Sequence, residues 1–488
     1  MGAALMVVLD GASLTIDSLA AVAEARDEVV LAPLARDRMA AAREVVEEAL
    51  RTDAAVYGLT TALAERKSVV LDAAARQGFS RFLIRGHLIA QGPPAPPTVV
   101  RAAMVCLVNG FAKGAAGVRP ELAEMLVHAL NRGLAPAVRS LGSVGQADLG
   151  PMADLTEGLL NETGFVLADN EGLALVNNNA FATGWAALAE LAAERLLREA
   201  EVAAALDLEA FAANLSILHP VVTEVRPHPG TVAAIRRLRA LLAGSSLFEP
   251  GNARNLQDPL TFRSIPQILG AAGDALGYAR TTIETELNSA GCNPAVVLAE
   301  RRIVSVGNLD IVPVAAALDF ARIALATVVT CAAERTVKLL QSPLSGLPAG
   351  LAAEPDTGEE ALAEFAGAAQ AIAAEARMLA HPVSFEVVSS SKAEGIEDRT
   401  TMAPLSARRL AEMADLAARV VSLEFLVAAQ AVDLRRASHL GEGTGRALDL
   451  VREFADFTAR GRAPPAELEP LVDAVRAGRF ARAALSGP

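Results

Sequence analysis

The chain has 488 residues, of which 52% are hydrophobic but only 4% are aromatic, and it carries a net charge of −13 at pH 7. Its core must be built mainly from alanine, leucine and valine, and because alanine and leucine are strong helix formers the composition predicts an α-rich protein. The acidic balance argues against nucleic acid and against an anionic membrane as partners, since both require a basic surface.

The cysteines and apolar segments predict a cytoplasmic protein. Cys106, Cys292 and Cys331 lie far apart, which fits a reducing compartment and offers neither a disulfide framework nor zinc spacing. The apolar run Ala3–Leu9 lacks a basic start and ends at Asp10, so it is not predicted to be a signal peptide. The apolar run Ile323–Ala333 is too short to span a membrane and predicts a core helix.

The predicted elements change in character along the chain. Before about residue 200, short segments alternate with turns rich in glycine and proline. Later, apolar residues recur at helical spacing in two stripes: Val314, Leu318, Ala321, Leu325, Val328 and Ala332, then Leu362, Phe365, Ala369, Ile372, Ala376 and Leu379. Long helices bury such stripes against one another. We predict an N-terminal globular domain over residues 1–200 and a helical bundle over 201–488, with the second helix ending near His381–Pro382.

Common catalytic motifs do not occur in the sequence. There is no HExxH zinc motif, no GxGxxG or GxxxxGK[ST] nucleotide loop and no GxSxG elbow. The six histidines are scattered without paired spacing, so no metal site is predicted.

Several short sequence segments nevertheless occur in a characteristic order along the chain. They are Val56-Tyr57-Gly58-Leu59-Thr60-Thr61, Leu83–His87, Asn109–Gly114 with Gly117-Val118-Arg119-Pro120, Gly142–Gly145, Asp148–Pro151, Glu171–Asn177, Arg226–Gly230, Gln257-Asp258-Pro259 with Arg263, Glu286–Ser289, Gly307-Asn308, and Glu397-Asp398 with Met402. In this order they resemble the aromatic amino acid ammonia-lyase and aminomutase superfamily. The resemblance runs from about residue 55 to 400.

The resemblance implies a mainly α ammonia-lyase-like fold and a homotetramer whose active sites combine several subunits. Tyr57 is similar to the family's catalytic base, and Glu397 to a residue near its leaving group. Arg263 resembles the carboxylate anchor and His87 the side-chain selectivity position. The remaining residues expected to contact substrate are Asn177, Gln257 and Asn308, with Leu260 and Leu309 standing where the family has aromatic residues.

The sequence departs from the family where its reactive group should form. Family members carry Ala-Ser-Gly, which cyclises and loses water to give the electrophile methylidene-imidazolone. Here the stretch reads Gly145-Gln146-Ala147-Asp148, one residue shorter, and the sequence contains no Ala-Ser-Gly. The exocyclic carbon needs a serine or cysteine side chain, so we expect no such prosthetic group and no other cofactor. The family histidines at two further positions are Asp154 and Arg399.

Most of the candidate residues also have a structural interpretation. Arg263 can pair with Asp258 or Glu397, and Glu397 can cap a helix. Tyr57 and His87 can be core residues, and the amides can satisfy loop backbone. We interpret Asp148 and Asp154 as loop-capping residues.

These observations favour a lyase-like enzyme without the prosthetic group. With Tyr57 as acid or base, it would catalyse elimination, conjugate addition, cyclisation or isomerisation of a small metabolite, in specialised biosynthesis. Two alternatives stay open: a non-catalytic ligand-binding or scaffold protein, and an ammonia-lyase or aminomutase with an unrecognised electrophile.

Overall fold

The computed structural model describes residues 6–24, 27–52, 55–76, 78–355, 357–385 and 395–485. Most of these residues are helical, which confirms the predicted mainly α class. The helices are α1 Ile16–Ala23, α2 Pro33–Arg51, α3 Ala73–Arg76, α4 Phe79–Gly86, α5 Pro97–Ala112, α6 Pro120–Asn131, α7 Leu149–Thr163, α8 Glu171–Val176, α9 Ala180–Phe211, α10 Val221–Val225, α11 Pro229–Leu241, α12 Leu260–Arg263, α13 Ile265–Leu287, α14 Val312–Leu340, α15 Ser342–Ser345, α16 Phe365–Met378, α17 Ala403–Arg435, α18 Glu442–Arg452, α19 Glu469–Arg476 and α20 Arg479–Leu485.

Short strands form three two-stranded pairs. Strands β1 (Met6–Leu9) and β2 (Glu28–Leu31) are parallel. The other two pairs are antiparallel: β3 (Gln91–Pro94) with β4 (Arg139–Leu141), and β5 (Ala295–Val297) with β6 (Arg302–Val304). Because β4 ends at Leu141, the pairing of β3 with β4 fixes the point at which the loop of residues 142–148 begins.

The chain divides into two units, each made of three separate segments. Unit 1 comprises Met1–Leu191, Ala279–Asp319 and Pro382–Arg408, and unit 2 comprises Ala192–Tyr278, Phe320–His381 and Arg409–Pro488. The sequence-based division places 1–200 in one domain and 201–488 in another. A single boundary in the sequence cannot describe these units, because each unit combines three segments that are far apart in the chain.

Both predicted apolar stripes lie on helices. The first lies on α14, and all six of its residues are buried. The second lies on and beside α16, whose last residue, Met378, precedes the predicted end by three residues. Helix α14 is long and apolar enough to cross a membrane by length and composition alone, but 56% of its most apolar stretch is buried, as in a core helix.

A buried arginine joins two helix ends in unit 1. Arg101 on α5 is only 5% exposed, and its guanidinium donates to the carbonyl oxygens of Val22 at 2.7 Å, Ala23 at 3.0 Å and Leu130 at 2.9 Å. These carbonyls lie in the last turns of α1 and α6, where the regular helical donors run out. Arg101 therefore connects the ends of these two helices through their backbone carbonyl groups.

Unit 2 buries carboxylates in its core. Arg335 donates from Nε to Asp207 Oδ2 at 2.7 Å and to Glu424 Oε1 at 2.9 Å, and burial together with Glu424 raises the pKa of Asp207. Glu199 on α9 accepts from the backbone N–H groups of Phe480 at 3.2 Å and Ala481 at 2.8 Å, at the start of α20. Burial raises the pKa of Glu199 to about 7.

Glu199 makes the stability of unit 2 depend on pH. Its pKa of about 7 in the folded protein exceeds the ordinary glutamate value of 4.5, so its contribution to stability is fully present below pH 4.5 and is lost as the pH rises through about 7. We expect the free energy of unfolding of Glu199→Gln, measured relative to that of the wild type, to increase by about 2–3 kcal/mol when the pH is raised from 5 to 8. Urea unfolding of both proteins at the two pH values measures this difference. If the difference in unfolding free energy between wild type and variant were the same at both pH values, the prediction would be wrong.

Candidate active site

Unit 1 contains a cavity of about 530 Å³, a size typical of small-molecule sites. Its wall combines parts of the sequence that lie far apart: the loop of residues 57–67, which we call the tyrosine loop, residues 142–150, residues 293–309 and residues 396–400, together with Ile89 and Asn177. The lining residues are Tyr57, Lys67, Ile89, Gly142, Ser143, Val144, Gln146, Ala147, Leu149, Gly150, Asn177, Asn293, Ser305, Leu309, Ile396, Glu397, Asp398, Arg399 and Thr400.

Tyr57 is held by the loop that follows α2. Its phenol oxygen accepts a hydrogen bond from the Ala64 N–H at 3.1 Å, a contact that favours negative charge on that oxygen. Gly58 has φ +71°, and a Cβ there would lie 2.4 Å from the Leu173 side chain on α8. Glycine therefore allows the tyrosine loop to pack against α8.

Asn177 follows α8 directly, and an ion pair anchors that helix. Glu171 at its start is fully buried and accepts from the Arg119 guanidinium at 2.8 and 2.7 Å and from the Ala168 N–H at 2.7 Å. Such a bidentate pair fixes orientation as well as distance. At the other end, Asn177 donates from Nδ2 to the Asn293 carbonyl at 3.0 Å.

A buried carboxylate organises the loop at residues 142–148. Asp148 Oδ1 accepts from Ser143 Oγ at 2.7 Å, and its Oδ2 accepts from the Ala182 N–H at 2.8 Å. The Asp148 N–H donates to the Asn178 carbonyl at 2.8 Å. Burial raises the pKa of Asp148 to about 6. Asp148 therefore connects the start of α7 to the start of α9.

The loop does not supply the chemistry of the methylidene-imidazolone ring. That ring needs a serine or cysteine followed by a residue whose nitrogen can attack the preceding carbonyl. Gln146 and Ala147 occupy this part of the loop, and the Ala147 side chain is a buried methyl group. The nearby Ser143 is followed by Val144, and its hydroxyl is bound to Asp148. These residues do not fit the group.

Gln146 instead enters a charged network. Its Nε2 donates to Asp310 Oδ2 at 3.0 Å, and Arg399 Nε donates to the same oxygen at 2.7 Å. Burial alone would raise the pKa of Asp310, but the donors from Arg399, the Val312 N–H and Gln146 lower it overall. A neutral amide and an ion pair are therefore joined at Asp310, beside the loop of residues 142–148.

Other expected site residues divide between the two units. Glu397 and Leu309 line the cavity with Tyr57 and Asn177. His87 does not line it, and its Nδ1 lies 2.8 Å from the Leu83 carbonyl at the end of α4. Asn308 is exposed, with Nδ2 3.4 Å from the Ala290 carbonyl.

Three expected substrate contacts belong to unit 2 and do not line this cavity: Gln257, Leu260 and Arg263. Gln257 is exposed and Leu260 is 65% exposed. Arg263 donates from Nε to the backbone carbonyl of Asp258 at 2.7 Å rather than to a carboxylate.

Two cationic residues that line the cavity, Lys67 and Arg399, are not among the site residues predicted from the sequence. Lys67 lines the cavity, and its only sequence signal is the polar run Glu65-Arg66-Lys67 at the end of the tyrosine loop. The sequence identifies Arg399 only as a position at which the resembling family has a histidine. Asp154, interpreted as a loop cap, accepts from the Arg139 N–H at 3.0 Å and from its guanidinium at 2.8 and 2.6 Å, which binds β4 to α7.

Comparison with known proteins gives matches along almost the whole chain. The model of the aromatic amino acid lyase family matches residues 14–166 and 160–453. The histidine ammonia-lyase of Caldanaerobacter subterraneus is 31% identical, with 97% of each chain covered. That of Stigmatella aurantiaca is 36% identical, with 91% of each covered.

Solved structures agree with the sequence matches. Ergothionase from Treponema denticola superimposes with a TM-score of 0.90 at 25% identity, over 99% of this chain and 100% of that one. Histidine ammonia-lyase from Trypanosoma cruzi gives 0.87 at 28% identity, over 98% and 95% of the two chains. Tyrosine aminomutase from Streptomyces globisporus gives 0.88 at 27% identity, over 98% of each.

The loop conformation depends on a glycine at position 145. Gly145 has φ +78°, and a Cβ there would lie 2.2 Å from Thr401 Oγ1 and 3.0 Å from the Ala403 nitrogen. We expect Gly145→Ala to destabilise the protein by about 2–4 kcal/mol through backbone strain and overpacking.

Gly164→Ala provides the matched control. Gly164 has φ +66°, but a Cβ there would meet no atom within 4 Å, so only the backbone cost of about 1 kcal/mol applies. Thermal unfolding compares the two variants, and equal losses would show that the contact with Thr401 does not matter.

Proposed function

The chain belongs to the aromatic amino acid lyase family, and we propose that it is an acid–base lyase that works without the methylidene-imidazolone group. One observation carries the proposal. Tyr57, Asn177 and Glu397 line the same cavity as a loop in which Gln146 and Ala147 replace the residues that form the electrophile.

The proposed reaction starts with proton transfer by Tyr57. Its phenolate takes a proton from a carbon next to an electron-withdrawing group, and the leaving group departs from the neighbouring carbon with the electrons of its bond. The Ala64 N–H stabilises charge on the phenol oxygen, and Glu397 protonates the leaving group. In the reverse direction the same groups catalyse conjugate addition, and attack by a nucleophile of the substrate itself gives cyclisation.

The chemistry restricts the substrate class. An unactivated amine is a poor leaving group, so the proposal requires either a better leaving group or an acceptor that is already conjugated. Leu309 makes part of the wall apolar, while Lys67 and Arg399 contribute positive charge and Glu397 and Asp398 contribute negative charge. A small polar metabolite of a specialised biosynthetic pathway fits this wall.

The proposal includes a homotetramer in the cytoplasm. Family resemblance would place Gln257, Leu260 and Arg263 in an active site completed by a neighbouring subunit, and the 65% exposure of Leu260 supports a surface available for contact. The three cysteines are free. Light scattering that gave a monomer mass, or cell fractionation that found the chain outside the cytoplasm, would refute these parts.

The first measurement is the intact mass of the purified chain. Formation of the ring removes water, so the proposal predicts the full mass calculated from the sequence with no water lost. A chain lighter by water, with the loss mapped to residues 143–148, would overturn the proposal and support an unrecognised electrophile.

The second measurement is turnover by Tyr57→Phe. A panel of β-substituted and α,β-unsaturated carboxylic acids, followed by ultraviolet absorbance and proton NMR in deuterated water, identifies a reactive substrate class. We expect Tyr57→Phe to lower kcat by about 100-fold or more. Tyr278→Phe, at the other tyrosine of the chain, should retain full activity, since Tyr278 is 52% exposed and does not line the cavity. Full activity of Tyr57→Phe would exclude the proposed base.

A further inference from the structure

Unit 1 contains a second cavity that the proposed reaction does not use. It lies among α5, the start of α9, the end of α13 and the loop 289–292, and its volume is about 50 Å³. Since about 10–15 Å³ accommodates one water, it holds roughly four water-sized groups and excludes an amino acid. Among the described residues, the two cavities share no lining residue.

Asn179 presents an unpartnered oxygen at this second cavity. Its side chain is 3% exposed, and Nδ2 donates to the Gly145 carbonyl at 3.1 Å, which fixes the orientation of the amide. Oδ1 is buried and has no hydrogen-bond partner within the described part of the chain. A buried acceptor without a partner costs about 1–3 kcal/mol, so a donor is expected here.

Glu286 contributes a carboxylate to the same cavity. Within the ranges that the structure describes, no hydrogen bond or ion pair reaches this carboxylate. Burial raises the pKa of Glu286 to about 7, and burial together with the charge of Glu286 raises the pKa of the neighbouring Cys106 thiol. Glu286 is part-buried, and a carboxylate withdrawn from water is stabilised by protonation or by a cation.

Two other polar side chains of the wall, those of Asn178 and Ser289, are already engaged, while Thr183, Cys106 and Cys292 also line the cavity. Asn178 donates from Nδ2 to the carbonyls of Ala174 and Leu175 at 3.0 Å, and its Oδ1 accepts from the Ala180 N–H at 3.0 Å. Ser289 Oγ donates to the Thr285 carbonyl at 2.7 Å. The groups left for a ligand therefore include two side-chain acceptors, Asn179 Oδ1 and the Glu286 carboxylate, and the carboxylate carries negative charge when it is ionised.

We infer that this cavity binds a small ammonium-type cation, either ammonium itself or methylammonium. Its N–H groups donate to Asn179 Oδ1 and to the Glu286 carboxylate, and its charge balances that carboxylate. The same amide holds the Gly145 carbonyl through Nδ2. A cation on Oδ1 therefore fixes the orientation of Asn179 and supports the loop that lines the larger cavity. The inference does not depend on the proposed reaction.

The test compares chloride salts on the wild-type chain at constant ionic strength. Ammonium and methylammonium should raise Tm in a saturable manner, by roughly 1–3 °C relative to sodium. Tetramethylammonium has no N–H donor and is too large for the cavity, so it should match sodium. Equal Tm values in ammonium and sodium would overturn the inference and indicate that a protonated Glu286 satisfies the site alone.

Two variants assign any ammonium effect to the cavity. Glu286→Gln keeps the side-chain shape and removes the charge, so the ammonium-specific rise should disappear. Glu199→Gln changes a fully buried carboxylate of unit 2, whose pKa is also raised to about 7, and should keep the full rise. An unchanged rise in Glu286→Gln would overturn the assignment. If that variant does not fold, loss of the rise in Asn179→Leu supports the site and its retention refutes it.

Discussion

The arrangement of the site depends on one buried carboxylate, Asp148. Its oxygens accept from the Ser143 hydroxyl and from the Ala182 N–H, while its own N–H donates to the Asn178 carbonyl. A buried carboxylate without such donors would be strongly destabilising. The loop therefore has little freedom once α7 and α9 are in place. Gly145 and Ala147, both with positive φ, allow it to make the turn that this bonding requires.

This constraint separates the scaffold of the loop from its chemistry. None of the bonds to Asp148 involves the residues at positions 146 and 147, where the family resemblance would place ring-forming residues. Those positions can change without loss of the contacts that hold the loop. At position 146, the side chain of Gln146 donates a hydrogen bond to Asp310, which also accepts from Arg399. An ion pair of this kind needs no covalent maturation.

Sequence patterns anticipated the scaffold better than the cavity. The stripe on α14 is buried because its spacing matches the helix period. The Gly-Val-Arg-Pro and Glu-Gly-Leu phrases, read separately, meet in the Arg119–Glu171 pair. Lys67 and Glu286 were not anticipated, since cavity walls join residues that are hundreds of positions apart and no local period marks them. Gln257 and Arg263 are predicted as site residues from the family resemblance alone, and they belong to unit 2, whereas the cavity lies in unit 1.

Three consecutive amides show how closely the two cavities are connected. Asn177 lines the larger cavity and donates to the Asn293 carbonyl. Asn178 closes the turn between α8 and α9 by using both ends of its amide on backbone groups. Asn179 holds the Gly145 carbonyl and turns its oxygen to the smaller cavity. Asn178 donates two hydrogen bonds and accepts one, which serine, with a single O–H donor, and an ionised aspartate, with none, cannot reproduce. The run therefore connects the walls of the two cavities through three consecutive side chains.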